Sequence, residues 1–292
     1  MRCDVLIARA TRRLEAAGSP TPRLDAEVLA MAAMKVDRTW LYTWGDKPMA
    51  TLARARFEAW VAARAQGMPV AYLTGEREFW GLALATSPST LIPRPDTETL
   101  VEAALARADT KTDAKTGARS DAQPGALLDL GTGTGAIALA FASERPGWRV
   151  EGVDLSPEAV ALARRNAERH GLAVRFRQSD WFDALDDERF DLIVANPPYI
   201  DPQDPHLGQG DVRFEPSSAL VAADHGLADL FAIAERARSF LRPGGWLLME
   251  HGYEQAERVR EHLEALGYVR CDSVHDLGGH PRVTLGQWGM QR

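Results

Sequence analysis

The tetrapeptide Asn196-Pro197-Pro198-Tyr199 carries groups that could hold a planar nitrogen for reaction. It follows the apolar run 190–195 (FDLIVA), which is typical of a buried strand, so it should lie where that strand ends in a cleft. The Asn196 side-chain oxygen can accept one N–H of an amide or an aromatic amine, and the Pro197 carbonyl can accept another. Two prolines fix φ and keep both acceptors in place. We therefore predict catalytic roles for Asn196, Pro197 and Tyr199, and substrate contacts for all four residues.

The same four residues also fit a simpler structure, because Asn-Pro-Pro is a common way to end a strand in a turn. In the catalytic interpretation, the Tyr199 ring covers the planar group that the two oxygens hold. Residues elsewhere in the chain are needed to distinguish a catalytic site from a strand-ending turn.

A glycine-rich turn follows an earlier predicted strand, 126–130 (ALLDL), and precedes a predicted helix. Glycines at such a turn let the backbone approach a ligand at the start of the helix. A second acidic side chain ends the next predicted strand, where a carboxylate can accept the hydroxyls of a ribose. The residues predicted here to bind a cofactor are Asp129, Gly131, Thr132, Gly133, Thr134, Gly135 and Asp154.

Two kinds of cofactor suit this turn. Its sequence satisfies the loose dinucleotide fingerprint G-x-G-x-x-A, which would suit an NAD-dependent oxidoreductase. S-adenosylmethionine has no phosphate, and its amino acid end would prefer an acid such as Asp129. Asp180 and Trp181, after the third predicted strand, could receive the adenine amino group and pack on its ring. We favour S-adenosylmethionine, because Asn196 would then lie beside the methyl group and contact the cofactor.

The elements that position these residues alternate between apolar strands and amphipathic helices from about residue 126 onward. This alternation is typical of an α/β fold with a doubly wound, mostly parallel sheet, here of seven strands. The last two strands have no helix between them, which predicts one antiparallel member. We predict three segments: a helical bundle over residues 1–75, a β-hairpin linker over 76–95, and a cofactor-binding domain over 96–292.

Composition limits the function. The chain has 292 residues, of which 45% are hydrophobic, and a net charge of -7. Residues 1–75 contain 11 Lys and Arg against 7 Asp and Glu, so the acidic excess lies in the remainder. This balance disfavours binding to long stretches of nucleic acid through phosphates. Two distant cysteines and the seven histidines show no metal-binding spacing, so we predict no metal site. No stretch approaches the 18 to 20 apolar residues of a membrane span, and we expect a cytoplasmic protein.

Two further segments carry weaker signals. Asp25 and Glu27 lie in a predicted helix, where paired carboxylates usually face solvent, so we assign them no catalytic role. The stretch 109–125 is polar and lacks an apolar period, which predicts a flexible surface loop.

Several motifs together resemble the bacterial release factor glutamine methyltransferases, the HemK family. The motifs are TLIPRPDTETLVE, DLGTGTGAIALA, DLSPEAVALARRNA, QSDWF, NPPYIDPQDPHLGQGDVRFEP, ALVAADHGLADL, LLMEHG and RVTLG. The resemblance extends from about residue 74 to 288, and the helical N-terminus agrees in kind. NPPY alone is shared with enzymes that methylate amino groups of DNA or RNA, whereas QGDVRFEP is much narrower. The polar stretch before ALLDL is longer than we would expect for the family.

The resemblance implies a Rossmann-like methyltransferase domain that uses S-adenosylmethionine. It implies methylation of the glutamine side chain in the Gly-Gly-Gln loop of peptide chain release factors, with the N-terminal helices as a docking domain. We expect a monomer. The roles of Arg94, Arg213, Glu215, Glu250 and His251 stay open.

Three other functions remain compatible with the residues alone. The first is methylation of a base amino group in RNA or DNA. That function would require a basic surface that binds the nucleic acid and aromatic side chains on which an extruded base can stack. The second is a dinucleotide-dependent oxidoreductase, and the third is a non-catalytic module that senses the cofactor. Titration with NAD and with S-adenosylmethionine would distinguish the two cofactors.

Overall fold

The computed structural model describes residues 1–109 and 124–289. It divides into two compact units, the first made of residues 1–76 with 205–214, and the second of residues 77–204 with those from 215 onward. The flexible loop predicted over 109–125 falls almost entirely outside the described residues. No helix within the described ranges is long and apolar enough to cross a membrane.

The first unit is a bundle of five helices, as the spacing of its apolar residues predicts. In the first helix, Leu6, Ala10 and Leu14 recur every three or four residues, and all three are buried against the other helices. The helices are α1 (Cys3–Ala16), α2 (Pro22–Met34), α3 (Arg38–Trp44), α4 (Thr51–Arg64) and α5 (Val70–Thr74).

The prediction that Asp25 and Glu27 face solvent is wrong. Both are buried, and Asp25 receives a hydrogen bond from Nε of the buried Arg64 at 2.7 Å. Arg23 donates to Glu27 at 2.9 Å. The helical pattern could not reveal this, because the cation that compensates Asp25 comes from α4, 39 residues along the chain.

Arg64 also forms an ion pair with Asp211, which belongs to the segment 205–214. In the same segment, Arg213 donates a hydrogen bond to the carbonyl of Gln66 at 2.6 Å. Two arginines therefore attach this segment to the end of α4 and the turn after it.

A short β-hairpin follows the bundle, in agreement with the sequence. Its strands are β1 (Glu76–Phe79) and β2 (Leu82–Ala85), and they form a separate two-stranded sheet. Phe79 and Leu84 are buried in the core of the second unit. An extended stretch and a 3-10 turn, Pro95–Thr97, then lead into α6.

The second unit alternates strands and helices in the predicted order. Its elements are α6 (Glu98–Asp109), β3 (Ala126–Leu130), α7 (Ala136–Glu144), β4 (Arg149–Asp154), α8 (Pro157–His170), β5 (Val174–Gln178), β6 (Phe190–Ala195), the single turn α9 (Ala223–Gly226), α10 (Ala228–Ala237), β7 (Leu241–Glu250), α11 (Ala256–Ala265), β8 (Tyr268–His275) and β9 (Pro281–Trp288).

The strands form one seven-stranded sheet in the order β5-β4-β3-β6-β7-β9-β8. All pairings are parallel except those of β9, which runs antiparallel to β7 and β8. The chain proceeds outward from β3 in one direction and from β6 in the other, so the strand order reverses between these two strands. In such sheets the ligand binds beyond the carboxyl ends of the strands at this reversal.

The sheet is apolar on both faces because helices cover both. In β6, Leu192 and Val194 pack into the cluster that contains α6 and α7, whereas Ile193 and Ala195 pack into the cluster that contains α10 and α11. Burial on both sides explains why the strand reads as a continuous apolar run. The predicted doubly wound α/β fold with its single antiparallel strand is confirmed.

Candidate functional site

A cavity of about 540 Å³ opens beyond the carboxyl ends of the strands in the second unit. It lies where the strand order reverses and brings together residues from the glycine turn, the ends of β4 and β5, and the end of β6. The predicted site residues that line it are Gly131, Thr132, Gly133, Thr134, Asp154, Asp180, Trp181, Asn196 and Pro198. Four other predicted residues, Asp129, Gly135, Pro197 and Tyr199, do not line the cavity.

The glycine turn is held in a shape that few other residues could adopt. Gly131 and Gly135 have φ values of 68° and 84°, in the left-handed region. A Cβ at Gly135 would also lie only 3.1 to 3.2 Å from atoms of Leu139, Phe176 and Ala163. Gly135 therefore allows close packing around the start of α7, and it does not line the cavity.

Asp129 lies beneath the turn and not on the cavity surface. Its Oδ2 accepts hydrogen bonds from the Thr132 hydroxyl at 2.6 Å and from the Ala138 backbone N–H at 3.3 Å, near the start of α7. Its Oδ1 has no partner among the described residues. Complete burial raises the pKa of Asp129 to about 7, although the hydrogen bond from Thr132 opposes this.

Asp154 is the acid on the cavity surface. Its two oxygens accept backbone N–H groups from Gly133 at 2.8 Å and from Ser156 at 2.9 Å. Burial raises its pKa, and these two hydrogen bonds lower it. Each carboxylate oxygen can accept more than one hydrogen bond, so the oriented group can still receive ribose hydroxyls.

Trp181 and Leu155 contribute to the apolar surface of the cavity. The Trp181 ring reaches within 3.4 Å of the position that a Cβ on Gly131 would occupy, and its backbone adopts a φ of 46°. Leu155 is 63% exposed, although it is a large apolar residue. An exposed leucine beside Asp154 suits the face of an aromatic ring. Leu155 was not predicted as a site residue, although its position directly after the acid that ends β4 could have indicated it.

Asn196 occupies the tip of β6. The last paired residues of β6 and β7 are Ala195 and Met249, so Asn196 and Glu250 are the next residues on two adjacent parallel strands. The Asn196 Nδ2 donates a hydrogen bond to the Thr97 hydroxyl oxygen at 3.2 Å. Among the described residues, no group donates to Asn196 Oδ1 or to the Pro197 carbonyl.

The segment after Asn196 is fixed on several sides. Tyr199 donates its hydroxyl to Glu250 at 3.4 Å, and the Tyr199 carbonyl accepts from Gln255 at 3.0 Å. Ile200 forms backbone hydrogen bonds with Leu220 and Ala222. The Tyr199 ring packs against the apolar cluster beneath the sheet. Its role as a wall over the substrate amide therefore stays a prediction.

The charges of the cavity favour a cation over a phosphate. Asp154, Asp180 and Asp229 line it, and Arg94 is the single cationic side chain that the described part of the chain contributes to the lining. A dinucleotide would bring a pyrophosphate with two negative charges into this acidic space, whereas a sulfonium is positive. The acids and the apolar ring surface of the cavity together fit S-adenosylmethionine. The described residues contain no group of three or more His, Cys, Asp or Glu side chains that could hold a metal ion.

Comparison with known proteins identifies the family of the chain. Residues 6–75 match the family model of the PrmC N-terminal domain, and residues 123–281 match that of a methyltransferase domain. The release factor glutamine methyltransferase of Vibrio cholerae is 52% identical over 291 residues, which is 99% of this chain and 98% of that protein. The Escherichia coli enzyme of the same name is 49% identical over 92% of this chain and 94% of its own. The chain belongs to the release factor glutamine methyltransferase family.

A solved structure outside this family shares the fold. The catalytic domain of hMettl16 in complex with an RNA hairpin has a TM-score of 0.55, with 16% identity over 80% of this chain and 82% of that chain. The Rossmann-like methyltransferase fold predicted from the sequence is therefore confirmed.

Glu250 and His251, at the end of β7, have different environments. Glu250 and His251 are both buried. Burial raises the pKa of Glu250 to about 7 and lowers that of His251 to about 4. His251 hydrogen-bonds the Gly252 carbonyl and the Thr284 hydroxyl, so both ring nitrogens are engaged in structure. Glu250 faces Thr97 and Tyr199 instead, and so lies directly behind the tip of β6.

The segment 89–94 forms a wall of the cavity that the sequence analysis did not foresee, except at Arg94. Arg94 pairs with Glu215, which is buried and also accepts a hydrogen bond from the Ile92 backbone N–H at 3.0 Å. The family motif that contains Glu215 therefore fixes this wall. Arg213, from the same motif, belongs to the other unit. Among the cavity-lining residues to which the sequence analysis gave no individual role are Ser89, Thr90, Leu91, Pro93, Thr97, Ala136, Ile137, Leu155, Ser156, Ala159, Ser218, Ala219 and Asp229.

Proposed function

We propose that this protein transfers the methyl group of S-adenosylmethionine to the side-chain amide nitrogen of the glutamine in the Gly-Gly-Gln motif of peptide chain release factors. It is a protein-(glutamine-N5) methyltransferase by this proposal. The observation that carries it is the placement of Asn196 in the same cavity as the glycine turn and Asp154. Family membership and the acidic, partly apolar cavity support the methyl donor.

The proposed mechanism depends on two oxygen acceptors. Asn196 Oδ1 and the Pro197 carbonyl would each accept one N–H of the glutamine amide, so that the nitrogen stays fixed. When bound, S-adenosylmethionine supplies an electrophilic methyl group on a positively charged sulfur. As positive charge grows on the amide nitrogen, the same two oxygens interact with it more strongly than in the ground state. This difference lowers the barrier. As the nitrogen gains the methyl group, a neutral thioether would leave and the nitrogen would release one of its two protons to water. Because an N-protonated amide is strongly acidic, no strong base is required.

The proposed residue roles follow the sequence prediction with one adjustment. Asp154 would bind the ribose, and Asp180 with Trp181 would bind the adenine, while Gly131 to Thr134 form the floor of the site. Asp129 and Gly135 would act on the cofactor through the turn above them, since neither lines the cavity. Pro198 would support the substrate side chain.

The proposal includes the three sequence segments and their roles. Residues 1–75 would dock the release factor, 76–95 would link, and 96–292 would carry the chemistry. We also propose that the protein acts as a monomer in the cytoplasm and does not bind long stretches of nucleic acid. The charge of -7 supports the last point, because such binding needs many clustered cations.

The test is a methylation assay with purified components. The protein is incubated with a purified release factor and labelled S-adenosylmethionine, and peptides are mapped by mass spectrometry. We expect one methyl group on the Gly-Gly-Gln glutamine and none on a factor in which that glutamine is replaced by alanine. Equal labelling of both factors, or label on added RNA alone, would contradict the proposal. Calorimetry with NAD in place of the methyl donor serves as the cofactor control, and we expect no binding.

A further inference from the structure

The tetrapeptide that follows β6 is held by a side chain from another loop. Gln255, in the turn between β7 and α11, donates its Nε2 to the Tyr199 carbonyl at 3.0 Å and to the His225 carbonyl at 3.0 Å. Its Oε1 accepts the backbone N–H of Gly252 at 2.8 Å. A side-chain amide has two N–H donors and one acceptor oxygen. Gln255 therefore uses both of its N–H groups on backbone carbonyls and joins three segments of the chain.

One of these segments has an unusual backbone. Residues 223–226 (ADHG) form the single turn α9, and they do not line the cavity. Asp224 and His225 have φ values of 51° and 54°, and Gly226 has a φ of 80°. Residues other than glycine rarely adopt this left-handed region, so two in succession carry a conformational cost. Such costs persist only where the surrounding structure determines the backbone strongly.

The turn α9 packs directly against the end of the tetrapeptide. Gly226 approaches Tyr199 so closely that a Cβ there would overlap the Tyr199 carbonyl oxygen and lie 2.6 Å from the carbonyl carbon. The His225 ring hydrogen-bonds the Asp201 carboxylate at 2.7 Å. The Tyr199 carbonyl is therefore contacted by both Gly226 and Gln255. We call residues 224–226 together with Gln255 the brace.

The brace fixes one end of the tetrapeptide, and β6 fixes the other. Ala195, directly before Asn196, is still paired with the neighbouring strand β7. Between the two ends, the rings of Pro197 and Pro198 fix two φ angles. Few backbone rotations remain free in this short stretch. The direction of the Pro197 carbonyl and the position of Asn196 therefore depend on where the Tyr199 carbonyl is held.

We propose that Gln255 and Gly226 are positioning residues, which hold the Tyr199 carbonyl and thereby place Asn196 and the Pro197 carbonyl to receive the substrate amide. Neither residue lines the cavity, so both act through the backbone of the tetrapeptide. The inference rests on the proposed function, because the acceptors that the brace positions are those proposed to hold the glutamine amide.

The experiment compares variants of the full-length protein. Gln255→Met keeps the length of the side chain and removes its amide, and Gly226→Ala places a methyl group against the Tyr199 carbonyl. Gln287→Met is the matched control. The Gln287 Nε2 also donates to a backbone carbonyl, that of Gly244 at 2.9 Å, but this pair lies in the first half of β7 and does not line the cavity.

Four quantities are measured for each variant. The kcat and KM are determined with a release factor, and the Kd of S-adenosylmethionine is determined by calorimetry. Amide hydrogen exchange of Ile200 is followed by NMR, because its N–H donates to the Leu220 carbonyl directly beside the brace. Exchange reports how often this part of the backbone opens.

We expect Gln255→Met to lower kcat roughly tenfold, about the effect of losing one or two hydrogen bonds, while KM and the cofactor Kd change less than about twofold. Exchange at Ile200 should become roughly tenfold faster, because the local opening costs less. Gly226→Ala should show the same pattern. The double variant should be no worse than the more impaired single variant, because both residues act on one carbonyl. Gln287→Met should leave all four quantities unchanged.

Other results would overturn the inference. Parental kcat in Gln255→Met would show that the Tyr199 carbonyl needs no brace for catalysis. A loss of cofactor affinity as large as the loss of kcat would indicate a general structural role. Should Gln255→Met and Gly226→Ala both fail to fold, Gln255→Glu replaces them, since it keeps an oxygen for Gly252 and loses both donors. We expect the same loss of kcat in this variant, and parental turnover would contradict the brace.

The exchange measurement separates this inference from the proposed function, because it needs no substrate. If the parent protein does not methylate the release factor, the proposed function fails, whereas faster exchange at Ile200 in Gln255→Met still supports the brace. If the parent protein methylates the factor and Gln255→Met exchanges faster without any loss of kcat, the positioning role is wrong and the proposed function stands.

Discussion

The carboxylate of Asp154 accepts the backbone N–H of Gly133 at 2.8 Å, and this hydrogen bond joins the end of β4 to the glycine turn. The two parts of the cofactor site are therefore not independent. The acid orients the turn, and the turn in its left-handed conformation orients the acid.

Asp154→Ala is expected to weaken the binding of S-adenosylmethionine at least tenfold. It removes the acceptor for the ribose and also leaves the N–H groups of Gly133 and Ser156 without their partner, at a cost of about 1.5 to 3 kcal/mol for a charged hydrogen bond. Calorimetric titration measures the change. Asp187→Ala, an exposed acid outside the cavity, is the control. An unchanged Kd in Asp154→Ala would exclude Asp154 from the cofactor site.

Asn196→Ala is expected to lower kcat by two or more decades while the Kd of S-adenosylmethionine stays within a few fold. The reason is that Oδ1 interacts most strongly when positive charge develops on the substrate nitrogen. Single-turnover rates with a release factor measure the chemical step. Turnover equal to that of the parent protein would remove the residue from the mechanism.

Trp181→Ala is expected to weaken cofactor binding by about tenfold, because stacking of a base on an aromatic side chain contributes about 1 to 3 kcal/mol. Trp181→Phe should retain most of the affinity, since it keeps a ring against the cavity. Equilibrium titration with S-adenosylmethionine compares the two. If both variants bind equally weakly, the indole ring supports the apolar cluster and does not stack on the ligand.

Glu250 should make the protein less stable as pH rises. Burial raises its pKa to about 7 from an ordinary value of 4.5, while Thr97, Arg282 and Tyr199 oppose the rise and Asp96 adds to it. A carboxyl whose folded pKa is raised contributes its stability below about pH 4.5 and loses it as pH passes through 7, a change on the order of 3 kcal/mol. Asp129 acts in the same direction, and His251 in the opposite one between pH 4 and 6.5.

Comparison with Glu250→Gln isolates the contribution of Glu250 from those of Asp129 and His251. Urea unfolding is measured for both proteins at pH 5 and pH 8. Because the glutamine does not ionise, the variant should gain stability relative to the parent protein as pH increases. A constant difference between the two proteins would show that Glu250 does not titrate in this range.

The sequence allowed the main architecture and the centre of the site to be predicted, because both depend on local patterns. The apolar run before Asn196, the glycine turn and the acid at the end of β4 each show in a few consecutive residues. Leu155 was missed although it directly follows the acid that ends β4. Thr97 was missed, since its contact with Asn196 arises only when distant segments meet. The error at Asp25 has the same origin. A carboxylate on a helix reads as solvent-facing until its arginine is located on another helix.

Arg64→Met is expected to destabilise the protein by about 3 to 5 kcal/mol. Arg64 is buried and pairs with Asp25 and Asp211, so its removal leaves the buried Asp25 carboxylate uncompensated. Arg54→Met is the matched control, because the pair of Arg54 with Glu58 is exposed and should contribute less than about 1 kcal/mol. Urea unfolding measures both. Similar losses in the two variants would contradict a special role for the buried pair.

Residues 205–214 are attached to Arg64 and Gln66, so dividing the chain near residue 76 would separate groups that bind each other. A fragment that starts there would keep Asp211 and Arg213 but lose both of their anchors. The segment that follows the Asn196–Tyr199 tetrapeptide would then fold without its contacts to Arg64 and Gln66. A truncated or fused protein that is meant to contain the catalytic domain should therefore also include residues 1–76.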